Sequence, residues 1–130
     1  MPLFQAHVPT GRYTAQQRTA MVEAFTESLV DGFALPVDDR FVVISEHGPD
    51  GLFIHPTYGD MKRSDRAIIV TVVIPETRPR SEKRKFLEAI VKRLGEKVGV
   101  APDDVFITLI PIPRENFSFG RGFSPFDPGD

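Results

Sequence analysis

Arg78-Pro79-Arg80-Ser81-Glu82 is the stretch of this chain best equipped for chemistry. Two guanidinium groups two residues apart project to the same side of an extended backbone, and Pro79 biases Arg78 toward that geometry. The planar fork on each side chain suits a carboxylate gripped from two directions. Ahead of it, Ala67-Ile68-Ile69-Val70-Thr71-Val72-Val73-Ile74 reads as a buried strand. The arginines then stand beyond the carboxyl end of a strand, where sheets with helical crossovers bind ligands. The plainer alternative is a solvated pair near a helix start. The macrodipole disfavours cations at a helix N-terminus, which argues for a functional reason.

The chain opens Met1-Pro2. Removal of the methionine would leave Pro2 with a free secondary amine. That amine is a general base when neutral, and a general acid or iminium-forming nucleophile under other protonation. A free α-amino group titrates near ~8, and apolar surroundings or nearby arginines lower that further.

Composition narrows the classes. The chain has 130 residues, 41% hydrophobic and 26% charged, as in one soluble globular domain spanning residues 1–130. A net charge of −2 with interspersed signs points away from nucleic acid and from charged membrane surfaces. There is no cysteine, which excludes disulfides, thiol catalysis and cysteine-based metal sites. No segment has the length of a membrane span and no export signal opens the chain, so a cytoplasmic location is expected. His7, His47 and His55 lie apart with no metal-ligand spacing and read as surface or structural residues.

The elements that must position these residues come in two similar halves. Pro2–Pro9 reads as a strand. Thr14 and Gln17 form a capping box, and Met21, Phe25, Leu29 and Phe33 recur at helical spacing, which predicts a helix over Ala15–Phe33. Arg40–Ser45 follows as a second strand. Residues 47 to 66, rich in Gly, Pro, Asp and aromatics, form a long connection with room for a hairpin. Strand Ala67–Ile74 then leads to a helix with Ser81 as expected N-cap. Phe86, Leu87, Ile90, Val91, Leu94 and Val98 share one face of it, and Gly99 stops it. A fourth strand covers Val105–Ile112. An offset of 65 places Asp39 on Asp104 and Phe41 on Phe106, so the chain is two tandem β-α-β units, about 2–47 and 67–112, plus an arm over 113–130.

Right-handed crossovers put both helices on one face of a four-stranded mixed sheet, a two-layer α+β sandwich. The other face would be bare, and strands this apolar need cover from neighbouring subunits or from the long loop. Asp38 and Asp104 read as turn residues that cap local backbone groups, and Asp39 on its own residues reads the same way. The arm carries Phe117, Phe119, Phe123 and Phe126. It can anchor across a neighbour, wall off the arginines from water, or do both.

Pro2 opening a strand, the duplicated units, Arg78-Pro79-Arg80-Ser81 and the Phe117-Ser118-Phe119-Gly120-Arg121-Gly122 tail together resemble the tautomerase superfamily. Within it, the malonate semialdehyde decarboxylases and their close relatives are most similar. The resemblance implies a catalytic Pro2, an aspartate at Asp39 that orients it or positions a water, a carboxylate clamp at Arg78 and Arg80, and an aromatic wall at Phe117 and Phe119. In the decarboxylases the first aromatic of that tail is a tryptophan, which Phe117 replaces. The resemblance also implies a homotrimer that acts on a small carboxylate substrate without a metal or organic cofactor. Three activities fit: decarboxylation of a 3-oxo acid, keto-enol tautomerisation of a 2-oxo acid, and hydration or dehalogenation of a small unsaturated acid. A non-catalytic trimer that binds anions is the reading from another class.

Overall fold

A computed structural model describes residues 2–127 and 129. Four strands, β1 (Leu3–Pro9), β2 (Val42–His47), β3 (Ile68–Pro75) and β4 (Val105–Ile112), and two helices, α1 (Ala15–Phe33) and α2 (Arg80–Val98), form two β-α-β units. The sheet order is β2-β1-β3-β4. β1 pairs parallel with β2, β3 pairs parallel with β4, and the two units join through antiparallel β1 and β3, with Leu3 opposite Val73 and His7 opposite Ile69. Strand β2 starts two residues later than expected. Asp39 N–H donates to the Pro36 carbonyl (3.2 Å) and Arg40 N–H to that of Asp38 (2.9 Å), which holds Arg40 in the turn.

Alternation sorts β1 and β3 cleanly. Phe4, Ala6, Val8, Ile68, Val70, Val72 and Ile74 are buried against the helices. From α1, Met21, Phe25, Leu29 and Phe33 meet them, and from α2 so do Phe86, Ile90, Leu94 and Val98. Phe4 stacks on Phe25 at 4.7 Å between ring centroids and meets Phe86 edge-on at 5.9 Å, which ties sheet and both helices together. Leu87 and Val91, expected on the buried face of α2, are half-buried beside Val105 and Ile107 at the β4 edge.

The capping box is present: Gln17 N–H donates to Thr14 Oγ1 (3.1 Å) and Thr14 N–H to Gln17 Oε1 (2.8 Å). α2 differs from expectation. Its N-cap is Pro79, not Ser81, so Arg80 is the first helical residue and the extended spacing argued for the two arginines ends at Pro79. The duplication accounts for this, since the same 65-residue offset carries Thr14 onto Pro79 and the left-handed cap Ala34 onto the left-handed cap Gly99. Proline suits that place because an N-cap needs extended backbone and no intrahelical N–H bond.

The other sheet face is partly open. Phe41, Val43, Phe106 and Ile110 are each more than 40% exposed on it. The long connection contains turns and, among the described residues, no strand, so the hairpin is not formed. Its Phe53, Ile54 and Tyr58 line a cleft with Ile69 and Phe106.

Where α1 crosses α2, Gly32 lies against Phe86. A Cβ there would sit 2.7 Å from the Phe86 Cα, a backbone atom that cannot swing away. Alanine would gain about 1 kcal/mol of helix propensity but cost about 1–3 kcal/mol in overpacking. We expect Gly32→Ala to lower the urea midpoint without changing the m-value. Below this crossing, Arg93 of α2 donates from Nε to Asp31 Oδ2 (2.7 Å) and from Nη2 to Oδ1 (3.1 Å). That bidentate bond, ahead of the opposing cost of burial, holds the Asp31 carboxyl below its ordinary pKa of 3.8. The stabilisation is therefore present above that pH and lost as pH falls through the lower folded value. Asp31→Asn should lower Tm at pH 6 and narrow its gap to the parent as the pH is taken below 3, read by thermal melts across that range.

Candidate active site

Strand directions gather the candidate residues at one end of the sheet. β1 and β2 begin there, and Phe4 N–H donating to the Phe41 carbonyl (2.9 Å) locks the two starts together. β3 and β4 finish there, tied by Glu76 N–H to the Ile112 carbonyl (2.9 Å). Pro2 and Asp39 precede the two starts. Arg78, Arg80 and the aromatic arm follow the two ends. Pro2 is buried and comes just before Leu3, whose partner is Val73, so it lies beside the segment that leads to Arg78. Asp39 is half-buried. Met1, on whose removal the amine chemistry depends, lies outside the described residues.

Arg78 is the best-held cation of this end. Its guanidinium lies 4.7 Å from the Phe33 ring centroid, and Nη1 donates to the Phe33 carbonyl and to Glu82 Oε2, each at 3.2 Å. Phe33 is the last residue of α1, so Arg78 satisfies an orphan carbonyl at the negative end of that helix. Its place before α2 is thereby offset by the end of α1 and by Glu82 in the first turn. Arg80 begins α2 with an exposed side chain, and among the described residues its guanidinium has no hydrogen bond or ion pair.

A cavity of about 390 Å³ opens beside Arg78. Leu35, Pro75, Pro79 and Phe126 form its apolar wall, and Arg78, Glu82 and Arg114 bring charge to it. Of the expected site residues only Arg78 lines it; Pro2, Asp39, Arg80, Phe117 and Phe119 are not among its lining residues. Phe126 supplies the aromatic wall, with Phe119 edge-on behind it at 5.9 Å. Phe119 in turn stacks on Phe41 at 5.7 Å, which folds the arm back over the start of β2. Phe117 lines a separate cleft within the arm. Arg114 went unnoticed in the sequence. Its signal was topological: β3 and β4 run parallel, so a cation just past Ile112 emerges beside one just past Pro75.

The opposite end of the sheet, which the duplication makes equivalent, is closed. Asp104, the counterpart of Asp39, is 3% exposed and accepts from Ser64 N–H (2.7 Å) and Ser64 Oγ (2.6 Å), forty residues away rather than from the local turn. Tyr13 donates to the Arg66 carbonyl under the Arg66 guanidinium, and burial pushes its phenol pKa up. Residues 64 to 66 thus fill the place that the cavity occupies at the first end.

The histidines depart from expectation. His7 and His47 do not lie apart: parallel register sets them side by side on the open sheet face, with Nδ1 of one 2.7 Å from Nε2 of the other, a distance for one shared proton. Among the described residues no group of three or more His, Cys, Asp or Glu is arranged to hold a metal ion, and no helix is long and apolar enough to cross a membrane.

Comparison with known proteins agrees with this geometry. One family model described as a tautomerase enzyme matches residues 39–120, and a second with the same description matches residues 2–61. The chain belongs to the tautomerase family. The curated "Probable tautomerase YusQ" of Bacillus subtilis (strain 168) is 29% identical over 94% of this chain and 95% of its own. Among solved structures, a malonate semialdehyde decarboxylase described with decarboxylase and hydratase activities is 31% identical, covers 92% of each chain and superposes with a TM-score of 0.84. A fused 4-OT, solved as a symmetric trimer, shares the tautomerase fold at 20% identity and a TM-score of 0.77, covering 94% of each chain.

Proposed function

We propose that this member of the tautomerase family is a cofactor-independent enzyme that uses Pro2 as a free N-terminal amine on a small oxo-carboxylic acid, with decarboxylation of a 3-oxo acid such as malonate semialdehyde as its reaction. The observation that carries this reading is the cationic, apolar-walled cavity beside Arg78, at the end of the sheet where Pro2 and Asp39 precede β1 and β2. The likeness to the malonate semialdehyde decarboxylase supports the choice of reaction.

In this mechanism Arg78 and Arg80 hold the carboxylate so that its bond to Cα lies along the carbonyl π system. Protonated Pro2 polarises the aldehyde oxygen, and Asp39 orients that amine or a water beside it. The C–C bond breaks, its electron pair moves into the enol, and CO2 leaves. A proton then returns to carbon and gives the aldehyde. Such positioning accounts for several kcal/mol of barrier lowering, on the order of 7 in good cases. Phe126, Phe119 and Phe117 would exclude water from the arm side and so strengthen each charge interaction.

The second reading is keto-enol tautomerisation, which the curated relative named as a probable tautomerase favours. There neutral Pro2 removes a proton α to the carbonyl of a 2-oxo acid and returns it elsewhere, while the arginines steady the enolate. In both readings the enzyme is a homotrimer, in which neighbouring copies cover Val43, Phe106 and Ile110 on the open sheet face.

Mass spectrometry of the purified chain should show Met1 removed, and retention would remove the amine mechanism. Assays on malonate semialdehyde and phenylpyruvate, side by side, separate the two reactions. Pro2→Ala should lower kcat by about 10²-fold or more. The pH profile gives the sign: decarboxylase activity falls as pH rises through the pKa of the amine, and tautomerase activity rises. An Arg78→Ala variant that turned over a panel of 2-oxo and 3-oxo acids as well as the parent would rule out the clamp.

A further inference from the structure

Three charged side chains line the cavity at the open end of the sheet, and their bookkeeping is uneven. Arg78 is paired with Glu82 at 3.2 Å, so that couple contributes no net charge. Arg114 is different. Its guanidinium lies 4.8 Å from the Phe126 ring centroid, and among the described residues it has no hydrogen bond or ion pair. The uncompensated positive charge of the cavity therefore belongs to Arg114, which no sequence pattern had nominated.

We propose that Arg114 is the principal counter-ion for the substrate carboxylate, with Arg78 as the second donor and Phe126 as the residue that positions the Arg114 fork. The inference rests on reading this cavity as the substrate site. A guanidinium laid over an aromatic face keeps its edge N–H groups free for an in-plane acceptor, and the ring limits the rotamers it must lose on binding. Arg78 spends Nη1 on the Phe33 carbonyl and Glu82, which leaves its other nitrogens for a ligand. One surplus positive charge matches one carboxylate. The substrate class is thus a monocarboxylate with a compact apolar body, which Leu35, Pro75 and Phe126 would contact. A second carboxylate would meet Glu82 among the residues that line the cavity.

The test is binding of phenylacetate, an unreactive monocarboxylate, to the full-length protein by calorimetry, beside steady-state turnover of the oxo acids. Losing a charge-assisted hydrogen-bond partner should weaken phenylacetate binding about 10- to 100-fold in Arg114→Gln. Arg114→Lys should weaken it less. Phe126→Leu should shift Kd in the same direction as Arg114→Gln, because the fork loses its platform. Arg121→Gln makes the same charge change on the same arm outside the cavity and should leave Kd unchanged, and the malonate dianion should bind no more tightly than phenylacetate. Equal weakening in Arg114→Gln and Arg121→Gln, no weakening in Arg114→Gln, or no binding by the parent overturns the inference. Melting temperatures of each variant check that the fold is intact. Turnover of oxo acids with an unchanged Kd in Arg114→Gln would leave the proposed function standing and remove Arg114. Binding through Arg114 without any turnover would do the reverse.

Discussion

The antiparallel pairing of β1 with β3 is the constraint from which the rest of the molecule follows. Each β-α-β unit is a parallel pair, and two such pairs can share a sheet with their units pointing the same way or opposite ways. Here they oppose, with Leu3 against Val73. Each end of the sheet therefore combines the strand starts of one unit with the strand exits of the other. A residue at the head of the chain is brought beside residues some seventy to a hundred positions later, with no loop needed to carry it there. Phe4, stacked on Phe25 and meeting Phe86, pins this arrangement from beneath, and burying each such ring is worth about 1.5–3 kcal/mol. The strand ladders and the packed core set this end of the sheet, and so fix where the segments after β3 and β4 emerge.

Duplication supplies two equivalent ends, and the chain uses them differently. At one end Asp104, Ser64, Tyr13 and Arg66 close the space with partly buried hydrogen bonds. At the other, the lining comes from the segments that follow α1, β3 and β4 and from the arm. The arm brings phenylalanines and Arg114 in place of a sealing carboxylate network. A polar network that satisfies every member is stable and inert, whereas a guanidinium on an aromatic face has donors to spare. The difference between a filled end and a receptive one is thus a difference in what the connecting segments carry, on the same backbone frame.

Much of this could be read from residues alone, and the failures share a cause. The capping box at Thr14 and the period of Met21, Phe25, Leu29 and Phe33 specified α1 to the residue, because both are local signals. The repeat gave the two β-α-β units and the four-stranded mixed sheet, while the strand order β2-β1-β3-β4 came from the structure. What escaped was whatever depends on register between strands. His7 and His47 meet because β1 and β2 run parallel with Pro9 opposite His47, a fact invisible in their spacing. Arg114 joins Arg78 because Pro75 lies opposite Ile112. The start of α2 differs for another reason: Ser81 has the preferred N-cap side chain, yet extended Pro79, the counterpart of Thr14 in the repeat, takes the cap and the helix begins at Arg80.

Arg78 shows how a structural and a functional reason can share one side chain. A cation just ahead of α2 is unfavourable by a few tenths of a kcal/mol to about 1, and the Phe33 carbonyl and ring return a comparable amount at the end of α1. The balance is close to neutral, so stability alone gives little reason for an arginine there over a neutral residue. What the arrangement does achieve is orientation. Glu82, the carbonyl and the ring hold the guanidinium from three directions, beside a cavity with an apolar wall. A group held beside a cavity at so little net gain in stability is an arrangement suited to recognition rather than to folding.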